Sequence, residues 1–301
     1  MPAFKKLESK GKARLVSAFD TFYKLQYAGI KLYSDLENML EREQINLIDI
    51  CLPTYLHADF VINILKRGYH VFCEKPMALK LTECREILSE SKKAKGKLMI
   101  GHCLRFSEEY LYLKENIQNK TFGKPLSAVF RRYSAPPLWA DWLLDFNKSG
   151  GCLLDMHIHD IDIIRFIFGE PNAVSCVTSN IYSVDDVVYS FLFYDDITVL
   201  AIADWTQQGL EFTSDYRIGF EKSTIVYDNN KITIYPQDRI AWEHGFDNED
   251  MYLKEIEYLF DMIYLDAINT QNAPESSSTT IKVMETLRDS ARNNGKIISL
   301  S

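Results

Sequence analysis

Apolar and polar positions alternate along this chain in two different ways. Up to Gly101, short apolar runs take turns with amphipathic stretches. Residues 14–20, 30–33, 46–52, 70–73 and 97–101 read as five strands, rich in Val, Ile, Leu and Phe. Between them, 35–43, 57–67 and 82–95 carry helical spacing. Asp35 and Thr82 stand as N-caps, Gly68 and Gly96 as stops. Pro53 ends the third strand, and Glu74-Lys75-Pro76 closes the fourth. Apolar strands separated by helices predict a parallel sheet with helices on both faces. Residues 2–10 read as the end of a further helix, with Gly11 in the stop position.

After Phe106 the pattern changes. A helix reaching residue 119 precedes a strand at 127–133, and a loop rich in Pro and Trp (134–148) leads into a helix at 151–168. Strands at 173–182, 187–194, 197–206, 216–220, 224–227 and 232–235 follow, with Asp195-Asp196 and Glu221-Lys222 as hairpin turns. Helices at 249–270 and 278–293, a loop at Ser276-Ser277-Ser278 and a last strand at 296–300 complete the chain. Strands with few helices between them predict an α+β unit with a mostly antiparallel sheet. The division falls between a dinucleotide-binding unit, 1–104, and a substrate-binding and oligomerisation unit, 105–301.

Composition narrows the class. Hydrophobic residues form 47% of the 301 and charged residues 25%, which is globular. A net charge of −8 lacks the basic footprint that nucleic acid or an anionic membrane surface requires. Six cysteines at wide spacings, none in a C-x-x-C pair, fit a reducing compartment. No long apolar stretch and no secretory h-region stand in the sequence, so a cytoplasmic protein is expected.

Several residues carry candidate chemistry. Asp20 ends a strand where an acid would bind an adenosine ribose. The glycine-rich turn that should precede it by about 20 residues is not in the sequence. The expectation is therefore a dinucleotide-binding sheet without its first strand and phosphate loop, from a late start or a fragment. Glu74 and Lys75 lie on the carboxyl edge, where a lysine can steady a developing alkoxide. In the 150–162 string, Asp155, His159 and Asp162 share a face of the expected continuous helix at i, i+4 and i+7. A carboxylate one turn from an imidazole can orient it as a base, although a satisfied buried pair is the simpler reading of such spacing. His157 and His159, two apart, diverge, so no metal is expected from the H-x-H-D-x-D string. Pro53, Thr54 and His57 could border a nicotinamide or form a turn and helix cap. Arg105 could touch cofactor or brace the two units, and Trp139 could face a sugar ring or anchor a loop.

Taken together these strings resemble the Gfo/Idh/MocA oxidoreductases, relatives of glucose–fructose oxidoreductase and inositol dehydrogenase. The likeness rests on Asp20 after a strand, Asp49-Ile-Cys-Leu-Pro53 with His57, Cys73-Glu-Lys-Pro76, Arg105-Phe106, and Gly150-Gly151 leading to Asp155 and His159. The resemblance implies a Rossmann domain, then an α/β domain with a large open sheet used for homo-oligomer contact. It implies NAD, with NADP as the alternative, and a sugar, sugar acid or cyclitol substrate held near Lys75, Trp139, Asp155 and His159. By the same resemblance Lys75 contacts substrate and nicotinamide ribose, and His159 is the proton acceptor. Asp20 leans towards NAD, because an acid repels a 2′-phosphate. A ligand sensor on the same scaffold, inactive for want of the phosphate loop, is the alternative function.

Overall fold

The computed structural model describes residues 2–21, 29–246 and 250–300. The first unit contains α1 (Pro2–Ser9), β1 (Ser17–Phe19), β2 (Lys31–Tyr33), α2 (Leu36–Arg42), β3 (Leu47–Ile50), α3 (His57–Lys66), β4 (His70–Glu74), α4 (Leu81–Ser91) and β5 (Leu98–Gly101). All its strand pairs are parallel, in two sheets: β1–β2 and β3–β4–β5. Among the described residues no strand joins the two. The Asp35 side chain caps α2 by accepting from Asn38 N, as the sequence indicates. The cap of α4 differs from expectation. Lys80 is the N-cap and Thr82 lies inside the first turn. The Glu83 carboxylate reaches back to the backbone N–H groups of Leu79 and Lys80, 3.1 Å each, and fixes the helix start two residues earlier.

The rest of the chain contains α5 (Glu108–Gln118), β6 (Pro125–Tyr133), α6 (Asp141–Leu144), α7 (Phe146–Ser149), α8 (Gly151–Asp155) and α9 (Ile158–Phe168). It continues with β7 (Ala173–Ser179), β8 (Val187–Phe193), β9 (Thr198–Asp204), β10 (Thr213–Phe220), β11 (Ser223–Asp228), β12 (Lys231–Pro236) and β13 (Trp242–His244). Last come α10 (Met251–Tyr264), α11 (Pro274–Arg292) and β14 (Ile298–Ser299). These strands form one sheet in the order β13-β12-β11-β10-β6-β9-β8-β7-β14. β6 and β9 run parallel; the other neighbouring pairs are antiparallel.

Two expectations fail here. The helix expected over 151–168 is broken, because the N–H groups of Met156 and His157 both turn back to the Cys152 carbonyl, 3.1 and 2.9 Å away. Gly150 and Gly151 sit at φ +79° and +73°, and a Cβ on Gly151 would lie 2.2 Å from the Val184 carbonyl oxygen, so that corner accepts only glycine. The serine run 276–278 is not a loop but lies within α11. Pro274 occupies the first turn, where its missing N–H costs nothing, and Ser277 and Ser278 are buried.

The inner sheet face buries Phe130, Tyr216, Val199 and Ile225 against Ile161 and Ile164 of α9 and Leu287 of α11. Leu7 of α1 packs with Phe72, Met99 and the α10 residues Ile256 and Leu259, so α10 returns to the first unit. Among the described residues the outer sheet face is left open, with Val177, Tyr189 and Phe191 between 40% and 46% exposed. Among the described residues, no helix is long and apolar enough to cross a membrane. The six cysteines are free, five of them buried.

Candidate active site

The site lies where the carboxyl edge of the three-stranded sheet meets α8 and α9. β4 is the middle strand, and its register puts Glu74 opposite Gly101 at the strand ends. Lys75 follows immediately and crosses to α8. Its Nζ donates to the Asp155 backbone oxygen at 2.6 Å and to Asp155 Oδ1 at 3.1 Å. Their side chains keep only 16% and 21% of their exposure. Lys75, Asp155 and His159 line one cavity of about 780 Å³. The His159 side chain makes no hydrogen bond among the described residues, while burial, followed by the nearby Lys75 charge, holds its imidazole well below the ordinary 6.5. A neutral imidazole with open nitrogens can take a proton, and an ammonium beside it can stabilise the oxygen that releases one.

The helix break changes the expected grouping. Asp155 and His159 lie on separate helices, and no hydrogen bond joins them among the described residues. Asp155 instead fixes Lys75. Asp162 stays one turn from His159 on α9 but does not bond it, and takes a bidentate pair from Arg105, Nε to Oδ2 at 2.8 Å and Nη2 to Oδ1 at 2.7 Å. The Thr280 hydroxyl also donates to Asp162 Oδ1, at 2.7 Å. Burial opposes ionisation of Asp162, but Arg105 outweighs it and keeps the carboxyl below the usual carboxylate range. Arg105 Nη1 donates to the Gln271 carbonyl. Arg105 is thus a brace between α9, the segment after β5 and the start of α11, with its fork committed away from a cofactor.

His57 is also withdrawn from a cofactor role. It is 1% exposed, and its two ring nitrogens lie 2.7 Å from the carbonyl oxygens of Leu52 and Pro76. It ties the ends of β3 and β4 together and so positions the Lys75 loop. Pro53 and the buried Thr54 begin a 3-10 turn between β3 and α3. Trp139 lines the cavity mouth at 78% exposure. Asp20 stands at the end of β1, its N–H bonded to the Tyr33 carbonyl. His157 diverges from His159 as the spacing predicts, with Nε2 2.9 Å from Ser190 Oγ. No group of three or more His, Cys, Asp or Glu among the described residues could hold a metal ion.

Sequence reasoning missed two groups. His102, 2% exposed, sits just past β5 with Nδ1 3.4 Å from Asp162 Oδ2. Arg132 on β6 pairs with Asp160 of α9 at 3.0 Å, both buried. The second carried a signal: Ala128, Phe130 and Arg132 fall on one face of the strand, so an arginine shares the core-facing register.

A nicotinamide dinucleotide fits these residues in part. Pro53, Glu74 and Lys75 follow or close neighbouring parallel strands on one sheet edge, Lys75 lines the cavity, and Asp20 at the end of β1 is of the chemistry that would bind an adenosine ribose. Among the described residues no G-x-G-x-x-G string occurs, so these residues supply no phosphate cradle of that kind.

Residues 10–102 match the oxidoreductase family with an NAD-binding Rossmann fold, GFO/IDH/MocA, and residues 110–226 match the GFO/IDH/MocA C-terminal domain. Myo-inositol 2-dehydrogenase of Thermotoga maritima is 39% identical over 142 residues, 46% of this chain and 41% of that protein. Inositol 2-dehydrogenase of Rhizobium meliloti is 30% identical over 202 residues, 65% of this chain and 59% of that protein. The chain thus spans about half the length of the curated relatives it matches. An oxidoreductase of Thermotoga maritima superposes with a TM-score of 0.87 at 20% identity, covering 99% of this chain and 93% of that one. Levoglucosan dehydrogenase in complex with NADH and levoglucosan gives 0.79 at 19% identity, covering 90% and 85%. These likenesses establish the fold.

Proposed function

Because the chain belongs to the GFO/IDH/MocA oxidoreductase family, we propose that it moves a hydride between a nicotinamide dinucleotide and a hydroxyl or keto carbon of a sugar, sugar acid or cyclitol. The carrying observation is the meeting of Lys75, Asp155 and an unbonded His159 in one cavity. The inositol dehydrogenases among the relatives and the levoglucosan dehydrogenase fold support the substrate class.

Lys75 donates to the substrate oxygen and stabilises negative charge on it. Asp155 holds the lysine in place and is the acceptor for a neighbouring hydroxyl. His159, neutral because it is desolvated, accepts the hydroxyl proton during oxidation and returns it during reduction. Pro53, Thr54, Glu74 and Lys75 would hold the nicotinamide end of the dinucleotide, and Asp20 would favour NAD over NADP. The cofactor, when bound, supplies the hydride acceptor or donor. A ligand sensor would have no use for an unbonded imidazole beside a lysine. The uncovered outer sheet face is the contact for a second copy of the chain.

The test is formation of NADH, followed by absorbance, from a panel of inositols and hexoses. Lys75→Met is expected to lower turnover by about 10²–10⁴ with melting temperature little changed. Turnover within threefold of the parent would remove Lys75 from the chemistry.

A further inference from the structure

We propose that Arg132, held by Asp160, determines specificity by donating a hydrogen bond to an uncharged oxygen of the substrate. The cavity therefore selects neutral polyols and sugars over uronates and sugar phosphates. This rests on the oxidoreductase reading and narrows its substrate class.

Arg132 reaches the cavity from the inner face of β6. Its neighbours in register are small, Ser214 on β10 and Ala203 on β9, which leaves room beside the guanidinium. The residue is 4% exposed. Nε donates to Asp160 at 3.1 and 3.3 Å and Nη2 at 3.0 Å, with the Tyr110 hydroxyl 3.5 Å from Nη2. Nη1 donates to no group among the described residues, yet it is not one of their sealed, unpartnered buried atoms. One edge of the fork is therefore spent on Asp160, and the other opens on the cavity. The Phe212 ring, 5.6 Å from the guanidinium carbon, supplies an apolar wall next to that donor.

The charge arrangement decides what the donor takes. Burial works against the charge on Arg132, and Asp160 outweighs it, so the guanidinium stays protonated but locally cancelled. Lys75 is cancelled in the same way by Asp155. The other ionised side chains lining the cavity are acidic: Glu108, Glu109 and Asp250. Glu108 lies 2.7 Å from Lys254 and Asp250 3.6 Å from Lys6. A substrate carboxylate or phosphate meets no unmatched cation among the described cavity residues, and it sits near Asp160 and Glu109. A hydroxyl or carbonyl oxygen accepts from Nη1 without that repulsion.

The experiment titrates the whole chain with glucose, myo-inositol, glucuronate and glucose 6-phosphate. Binding is read from the fluorescence of Trp139 and Trp205, both cavity residues, and hydride transfer is read separately from NADH. Neutral ligands are expected to bind about tenfold more tightly than the anions, a ratio reached by one unfavourable charge contact. Asp160→Asn is expected to reverse that ranking by exposing the guanidinium charge. Arg132→Gln is expected to weaken neutral ligands about tenfold, in KM rather than kcat. Melting curves confirm that each variant is folded. Tighter binding of glucuronate or glucose 6-phosphate by the parent overturns the proposal, as does a lack of binding by every sugar. If the binding order holds but no NADH forms, the oxidoreductase reading fails and the subsite stands.

Discussion

Acidification from pH 7 to pH 5 acts on this fold through imidazoles that it buries in their neutral form. His157 is fully buried between α8 and β8, with Nε2 on Ser190 and Nδ1 without a partner among the described residues. Burial, helped by the Arg132 charge, lowers its pKa from 6.5 to about 3. Above pH 6.5 the folded and unfolded chains both hold it neutral. Below 6.5 the unfolded chain takes a proton that the folded chain refuses until about pH 3, so stability falls as pH falls through that window. Linkage gives about 1.4 kcal/mol per pH unit, or about 2 kcal/mol lost between pH 7 and pH 5. His102, lowered to about 4 by burial despite Asp162, contributes a similar loss. Glu255 runs the other way, because burial raises its carboxyl well above 4.5 and the folded chain binds its proton first. The informative quantity is therefore a difference between two proteins. His157→Gln, which keeps a polar group of similar length for Ser190, should flatten the fall. Calorimetric melting at pH 7 and pH 5 should show the parent losing about 4 °C more than the variant, at roughly 2 °C per kcal/mol for a chain of this size. Equal losses in both proteins would show that His157 is not held neutral by burial.

Three further outcomes follow from the same geometry. The acid limb of kcat/KM for oxidation should fall below pH 6.5, because His159 is already neutral there; a limb centred at 6.5 or above would assign the base elsewhere. Arg105→Met leaves Asp162 buried without its bidentate partner and should cost about 3–5 kcal/mol in denaturant unfolding; a loss under 1 kcal/mol would show the brace to be dispensable. Phe191→Glu on the outer sheet face, beside Leu200 in register, should convert an oligomer to monomer by light scattering; a parent that is already monomeric removes that contact.

Much of the local architecture is legible in the sequence. Apolar periodicity located the five parallel strands, the hairpins at Asp195-Asp196 and Glu221-Lys222, and the cap at Asp35, because each depends on residues within a few positions. It missed β13, a three-residue edge strand whose sequence Trp242-Glu-His244 carries no alternation of its own. Lys75, Asp155 and His159 were also identifiable, since strand ends and glycine corners are local features.

The tertiary structure decided which of those groups meet. Lys75 finds Asp155 80 residues away, and Arg105 takes Asp162 from 57 residues away, so that carboxylate is spent on the guanidinium and not on His159. At the break the buried His157 imidazole bonds Ser190 of β8, a contact that no helical period records. The serine run became helix because α11 buries it beneath α9, where Thr280 and Ser276 serve Asp162 and Arg105. Sequence spacing encodes which face a residue takes within its own element. The partner on that face comes from another element, and only the packed chain brings the two within hydrogen-bond reach.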